Sequence, residues 1–273
     1  MRFCKVFIAI LSFLHFAYPV FADRSSEFKL SVLNMGYADA SLLEFPSGIN
    51  ILVDTGSKES AEKLVRFIQE KQIHALDLVV ITHAHDNHYG GLSKLSGIVS
   101  IRKVITSSLN NLPDDLVSTF EHLKQKNVLI TEMRRGEQIL LDTNIQMSAL
   151  HPAEITSEPN ADSLVLIFTM GNSKILFSAD IPPLIQSQLI ESKILTEKPD
   201  VVLLPHHGDE LSEPFAHFIQ DSVKIISAGP HELWHAPNAK TVERFKEKLF
   251  RTDTSGDLIF KINGKEIVQV PAS

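Results

Sequence analysis

The stretch "LDLVVITHAHDNHYGG", residues 76–91, constrains the fold of this chain more than any other. Its apolar first half reads as a strand buried on both faces. It then breaks into His83, His85 and His88, three imidazoles within one turn. Three histidines directly after a buried strand have little structural use and a good deal of metal-binding use. The same design recurs twice: "SLVLIFTMGNSKILFSAD" stops at Asp180, and "DVVLLPHHG" stops at His206 and His207. Strand ends are rigid supports, and strands of two packed sheets bring such ends to one rim.

The rest of the chain supplies the layers. "FKLSVLNMG", "ASLLEF" and "ILVDTG" read as strands, as do "IRKVITS", "KIISAG" and the pair in "EQILLDTNIQMSALHP". "LIFKINGKEIV" reads as a closing hairpin. "SAEKLVRFIQEKQI" places Leu64, Phe67, Ile68 and Lys71 at helical spacing behind a capping Ser60. "DDLVSTFEHLKQK", "IPPLIQSQLIES", "SEPFAHFIQ" and "AKTVERFKEKL" read as further helices. Strands and helices recur in both halves without a low-complexity break, which suits helices outside a pair of packed sheets.

Residues 1–22, "MRFCKVFIAILSFLHFAYPVFA", read as an export signal: Arg2 and Lys5, an apolar run, then Val20 and Ala22 before the cut. The run is short for a membrane span and Pro19 interrupts it. No later segment is apolar enough to cross a membrane, so no anchor is expected after cleavage. The domain expected is 23–273, exported to a periplasmic or extracellular space. The single cysteine, Cys4, lies in the signal, so the mature chain has no disulfide, thiol nucleophile or thiolate ligand. Roughly 250 residues suffice for a domain held by its core alone. Losing Arg2 and Lys5 moves the net charge from -7 to -9, which gives no general affinity for nucleic acid. Nothing in the sequence sets the oligomeric state.

Imidazole and carboxylate are ligands for zinc at about 2.0–2.2 Å. His83 and His85, spaced i, i+2, can grip one ion; His88 can serve a second, and Asp180 has the two oxygens to bridge them. Two ions about 3.5–4 Å apart can share a hydroxide and clamp an in-line displacement. His15, His74, His122 and His217 read as surface or core residues.

These motifs carry a family resemblance. "THAHDNHYGG" resembles the T-H-x-H-x-D-H loop, followed by two glycines, of metallo-β-lactamase-fold hydrolases. "LSVLNMGYADASLLEFPSGINILVDTG", "ALHP", "LLPHHG", "ISAG…WHAPN" and "FRTDTSGDLIF" resemble the hydrolase domain of ComEC-type DNA-internalisation competence proteins. The resemblance implies an α+β fold, an αββα sandwich with metals at one edge of the two sheets. It implies zinc, one or two ions, with manganese or iron as alternatives. One ion would take His83 and His85, completed by His151. The other would take position 87, His88 and either His206 or His207, with Asp180 between the two. Asp180, His207 and His235 would act on a small-molecule or phosphodiester substrate. Asp54 of "VDTG" would order loops through hydrogen bonds.

The chain departs from the family at Asn87, where an Asp is expected. A neutral amide oxygen is a poorer ligand for a dication and no base. The second ion should bind weakly, be absent, or recruit Asp86 next door. The functional expectation is an exported metal-dependent hydrolase of a phosphodiester or similar ester through a metal-bound hydroxide. Its rivals are a metal-binding relative that is weak or inactive, and a lactamase- or lactonase-type hydrolase.

Overall fold

A computed structural model describes residues 27–229, 236–264 and 266–271. The expected export signal and His235 therefore lie outside the described residues. In chain order the first strands are β1 (Phe28–Val32), β2 (Ser41–Glu44), β3 (Asn50–Val53) and β4 (Ala75–Leu76). Next come β5 (Leu78–Ile81), β6 (Ser100–Ile101), β7 (Lys103–Thr106) and β8 (Leu129–Glu132). The second half adds β9 (Gln138–Asp142), β10 (Ile145–His151), β11 (Val165–Met170), β12 (Ser173–Phe177) and β13 (Val201–Leu203). It closes with β14 (Val223–Ile226), β15 (Leu249–Arg251), β16 (Leu258–Asn263) and β17 (Glu266–Val270).

These strands build two large sheets. One runs β17-β16-β1-β2-β3-β5-β7-β8, the other β15-β14-β13-β12-β11-β10-β9. Alternation along each strand splits its residues between two cores. Leu78 and Val80 of β5 join Leu30, Val53, Phe168, Phe177 and Ile225 in the core between the sheets. Val79 and Ile81 face outward into a second core with Leu64, Ile68, Phe120 and Leu123. Those partners belong to α1 (Ala61–Glu70) and to the later helix Asp114–Gln125. On the far side Val165, Leu176 and Val202 pack with Leu189, Phe215 and Phe245 from helices Pro183–Glu191, Glu213–Phe218 and Ala239–Phe245. The architecture is the expected αββα sandwich. Burial on both faces is the reason the central strands read as unbroken apolar runs.

Some local expectations shift. Ser60 does not cap α1 with its side chain; its hydroxyl accepts instead from the Ser57 main-chain N–H at 2.9 Å. β8 and β15 were not evident as strands in the sequence, because each is an edge strand and only partly covered. Among the described residues, no helix is long and apolar enough to cross a membrane.

The fold positions the site through parallel pairing. β3, β5 and β7 run parallel in one sheet, and β12, β13 and β14 run parallel in the other. Their carboxyl ends release Asp54, the histidine loop, Asp180, the His206–His207 pair and Ser227. The sheets are tied there by Leu164 N–H donating to the Thr82 carbonyl at 2.8 Å and Ser227 Oγ to the Ala38 carbonyl at 2.8 Å.

One buried cation sits away from this rim. Lys224 of β14 is 1 % exposed, donates to the Gln220 carbonyl and lies 4.6 Å from the Phe245 ring centre. Burial pushes its ammonium from the usual 10.5 down to about 8. The charged form is thus penalised in the folded chain below pH 8, and the penalty is relieved as pH rises towards 10.5. Lys224→Met should therefore raise stability near neutral pH by about 1–2 kcal/mol. It should also flatten the rise in wild-type stability across that alkaline window, as read by urea denaturation.

Candidate metal centre

Asp180 is the hub. It leaves the end of β12 only 2 % exposed, and four imidazole nitrogens approach its Oδ2. They are Nε2 of His88 at 3.3 Å, of His83 at 3.7 Å, of His207 at 3.8 Å and of His206 at 3.9 Å. Two groups of donor atoms, each lying within 4.8 Å of one another, share this carboxylate. One is His83, His85 and Asp180; the other is Asp39, His88, Asp180 and His207.

The inward nitrogens are aimed by partners on the opposite ring edge, as metal-binding imidazoles usually are. Asp54 organises this shell. Its Oδ1 accepts from Thr82 N–H, and its Oδ2 accepts from Thr82 Oγ1 and His88 Nδ1, each at 2.8 Å. With its hydroxyl proton committed to Asp54, Thr82 Oγ1 accepts from His83 Nδ1 at 3.2 Å. His207 Nδ1 donates to the Ser227 carbonyl at 3.0 Å, since a carbonyl can only accept. The Nε2 lone pair of neutral His83 therefore faces the centre, and His207 turns its Nε2 the same way.

The loop is pressed into place by its glycines. A Cβ on Gly91 would lie 2.1 Å from the Thr55 carbonyl oxygen, so only glycine lets the loop exit lie on the turn after β3. Thr55 N–H then donates to the His88 carbonyl at 2.6 Å. Across the rim, His206 and His207 both take the left-handed backbone region, with φ of 48° and 54°. Such a conformation costs about 1–3 kcal/mol per residue and persists where surrounding structure enforces it.

Electrostatics make the cluster a charge trap. Burial, then the neighbouring His88, holds His83 well below the usual imidazole range. Burial opposes charge on His88 too, but Asp180 and Asp54 on either side outweigh it and raise it well above that range. His207 is raised for the same reason, by Asp39 and Asp180. Asp180 stays well below the usual carboxylate range despite burial, held there by His88 and His207. Ion uptake therefore competes with a proton on His88 and weakens as pH falls.

The residues present fit a metal. His88 Nε2 and Asp180 Oδ1 are buried without a hydrogen-bond partner. Buried polar atoms left without a hydrogen bond cost stability unless a ligand satisfies them, and a cation suits an imidazole nitrogen and a carboxylate oxygen alike.

The sequence-level site residues divide. His83, His85, His88, Asp180 and His207 are brought together. Of the histidine pair, His207 is buried and inside the cluster, whereas the His206 side chain is 26 % exposed and outside both groups. Two expected ligands are not brought in. His151 Nε2 donates to the Ala161 carbonyl at 2.7 Å, beside a register shift in β10 between Ala149 and His151. Asp86 opens the short helix α2 (Asp86–Tyr89) and pairs with Lys58 at 3.5 Å. Two positions of a helix separate residues by about 200°, so Asp86 turns away as His88 turns in. Asn87 keeps to the site, its Nδ2 standing 2.9 Å from His207 Nε2.

Asp39 and Tyr37 were missed by sequence reasoning. Tyr37 lays its ring 4.1 Å from that of His207, and burial, then Asp180, raises its phenol so that it stays a donor. The available signal was "GYADAS", an Asp set among small residues between two apolar strands.

The sequence model of the Metallo-beta-lactamase superfamily matches residues 33–213, most of the chain and all the clustered ligands. The chain belongs to this superfamily. Its members are generally metallo-hydrolases. The chain is 27% identical to ComE operon protein 3 of Bacillus subtilis (strain 168), over 93% of its own length and 35% of that protein. It thus spans about a third of the relative it matches. Among solved structures it is similar to the metallo-beta-lactamase fold protein YhfI from Bacillus subtilis, with a TM-score of 0.54 at 14% identity. That match covers 86% of this chain and 100% of the other. A CmlA beta-hydroxylase E377D mutant gives a TM-score of 0.55 at 16% identity, over 86% of this chain and 54% of that one. At such identities both likenesses speak for the shared fold.

Proposed function

We propose that this superfamily member is an exported metal-dependent hydrolase of a phosphodiester or similar ester, with zinc or manganese as its ion. The observation that carries the reading is the Asp180 carboxylate surrounded by four imidazole Nε2 atoms, with His88 Nε2 and the carboxylate's own Oδ1 buried without hydrogen-bond partners. His83, His85 and Asp180 would hold one ion, and His88, His207 and Asp180 a second. Ions there would polarise the ester and lower the pKa of water enough to make it a nucleophile at neutral pH. Around them, Asp54 and Ser227 keep the imidazoles oriented, and the Tyr37 phenol offers a donor to developing negative charge. His206, at the solvent side, would meet the substrate. The ester class rests on the resemblance of the "PHHG" and "WHAPN" elements to the competence-type hydrolase domain.

The test is hydrolysis of bis-p-nitrophenyl phosphate by the mature protein loaded with zinc or manganese. His83→Ala should lower the rate at least about 100-fold, because a direct ligand matters more than its supporting partners. Unchanged activity in that variant would sink the proposal. Nitrocefin assayed alongside separates a lactamase. The Asn87 amide against His207 favours a second reading, a metal-binding relative without turnover. No hydrolysis by either wild type or Asn87→Asp would select it.

A further inference from the structure

We infer that Asp39, on the loop between β1 and β2, carries for the second ion the negative charge that position 87 lacks, acting through His88 and His207. The inference rests on the metal centre proposed above. Asn87 brings only a neutral amide to that side of the site, and its Nδ2 lies against the His207 nitrogen an ion would use. Of the two imidazoles, Asp54 accepts from His88 Nδ1 alone, whereas Asp39 is the carboxylate that stands near the outer edges of both His88 and His207. Its Oδ1 stands 3.5 Å from His207 Nδ1 and its Oδ2 stands 3.9 Å from His88 Nδ1.

These are the outward ring edges, since the Nε2 atoms of the same two imidazoles face Asp180 at 3.8 and 3.3 Å. Asp39 is therefore a positioning residue behind the ligands, although one of its oxygens lies within 4.8 Å of the other donors. A carboxylate at the outer edge of an imidazole makes the inner nitrogen a stronger donor and offsets part of the ion's charge. Asp39 does this for two ligands of one ion at once. His83 and His85, the ligands of the other ion, have no ion pair with it among the described residues.

The main chain holds Asp39 where this requires. Its N–H donates to the Asn87 carbonyl at 3.0 Å, and its carbonyl accepts from Gly56 N–H at 2.7 Å. Both bonds are independent of the side chain, so Asp39→Asn removes the charge and leaves the loop anchored. His88 Nε2 and Asp180 Oδ1, both buried without a hydrogen bond, mark the place where the ion would sit.

Calorimetric titration of the metal-free protein with Mn2+ tests this without substrate, so failure of the esterase reading leaves the result interpretable. Wild type should show two binding events. Asp39→Asn should weaken the second by about 10–100-fold and leave the first within about twofold. Adding Asn87→Asp to that variant should recover at least about tenfold of the lost affinity. A wild type that takes up one ion only, an Asp39→Asn variant that titrates as wild type, or equal weakening of both events would each overturn the inference. Should Asp39→Asn not fold, Asp39→Glu moves the charge by one methylene and must weaken the second event alone; unchanged affinity there also overturns it.

Discussion

Asp180→Ala will abolish tight binding at both ion positions together, lowering affinity by more than about 100-fold, beyond the loss typical of a merely supporting residue. Among the described residues, no other side chain belongs to both donor groups. Hydrolysis should fall with it, and excess metal should not restore the rate. The metal-free protein gives an independent reading through pH. The Asp180 carboxyl is depressed below its ordinary 3.8, so its contribution to stability is present above that pH and is lost as pH falls. His88 is raised above its ordinary 6.5, so its contribution is present below that value and is lost as pH rises through the raised one. Both are in force between about pH 4 and 6.5, where breaking the buried pair should cost about 3 kcal/mol. The stability gap between wild type and Asp180→Ala should be widest there and should narrow on either side. A gap independent of pH across denaturation curves from pH 4 to 8 would refute this account.

Asp54→Ala should unfold the rim without removing a ligand. The carboxylate takes three hydrogen bonds, from Thr82 N–H, Thr82 Oγ1 and His88 Nδ1, and is 2 % exposed. Its loss leaves three buried donors without an acceptor, one of them on a charged ring, at a cost of about 3–5 kcal/mol. Denaturation of the metal-free variant measures it. In the folded fraction ion affinity should drop about 10–100-fold while the number of ions bound stays that of wild type. A variant that binds fewer ions at saturation would make Asp54 a ligand and overturn its supporting role. Asp54→Asn should fall between, because one oxygen survives while the new amide N–H groups face existing donors.

Much of this fold is legible in the sequence, for a local reason. A strand covered on both faces must be apolar throughout, so "LDLVVIT", "SLVLIF" and "DVVLL" declare themselves. The polar residues that end them are equally local. Edge strands such as β8, half covered, lack that continuity and escape notice. The same limit applies to the site. His83, His85, His88 and Asp180 stand at strand ends, where position along the chain already implies position in space. Asp39 lies mid-loop in an unremarkable "YADA" and enters the cluster only because two main-chain bonds fold that loop over the histidine turn.

The amino-acid order by itself determined the two-sheet architecture, the superfamily and the strand ends that bear ligands, because burial and periodicity act over a few residues. Tertiary structure alone chose His207 over His206, turned Asp86 to Lys58, spent His151 on Ala161 and placed Asp39 behind two imidazoles. Those outcomes depend on contacts such as Asn87 with His207, 120 positions apart, whose distance is decided by how the sheets pack.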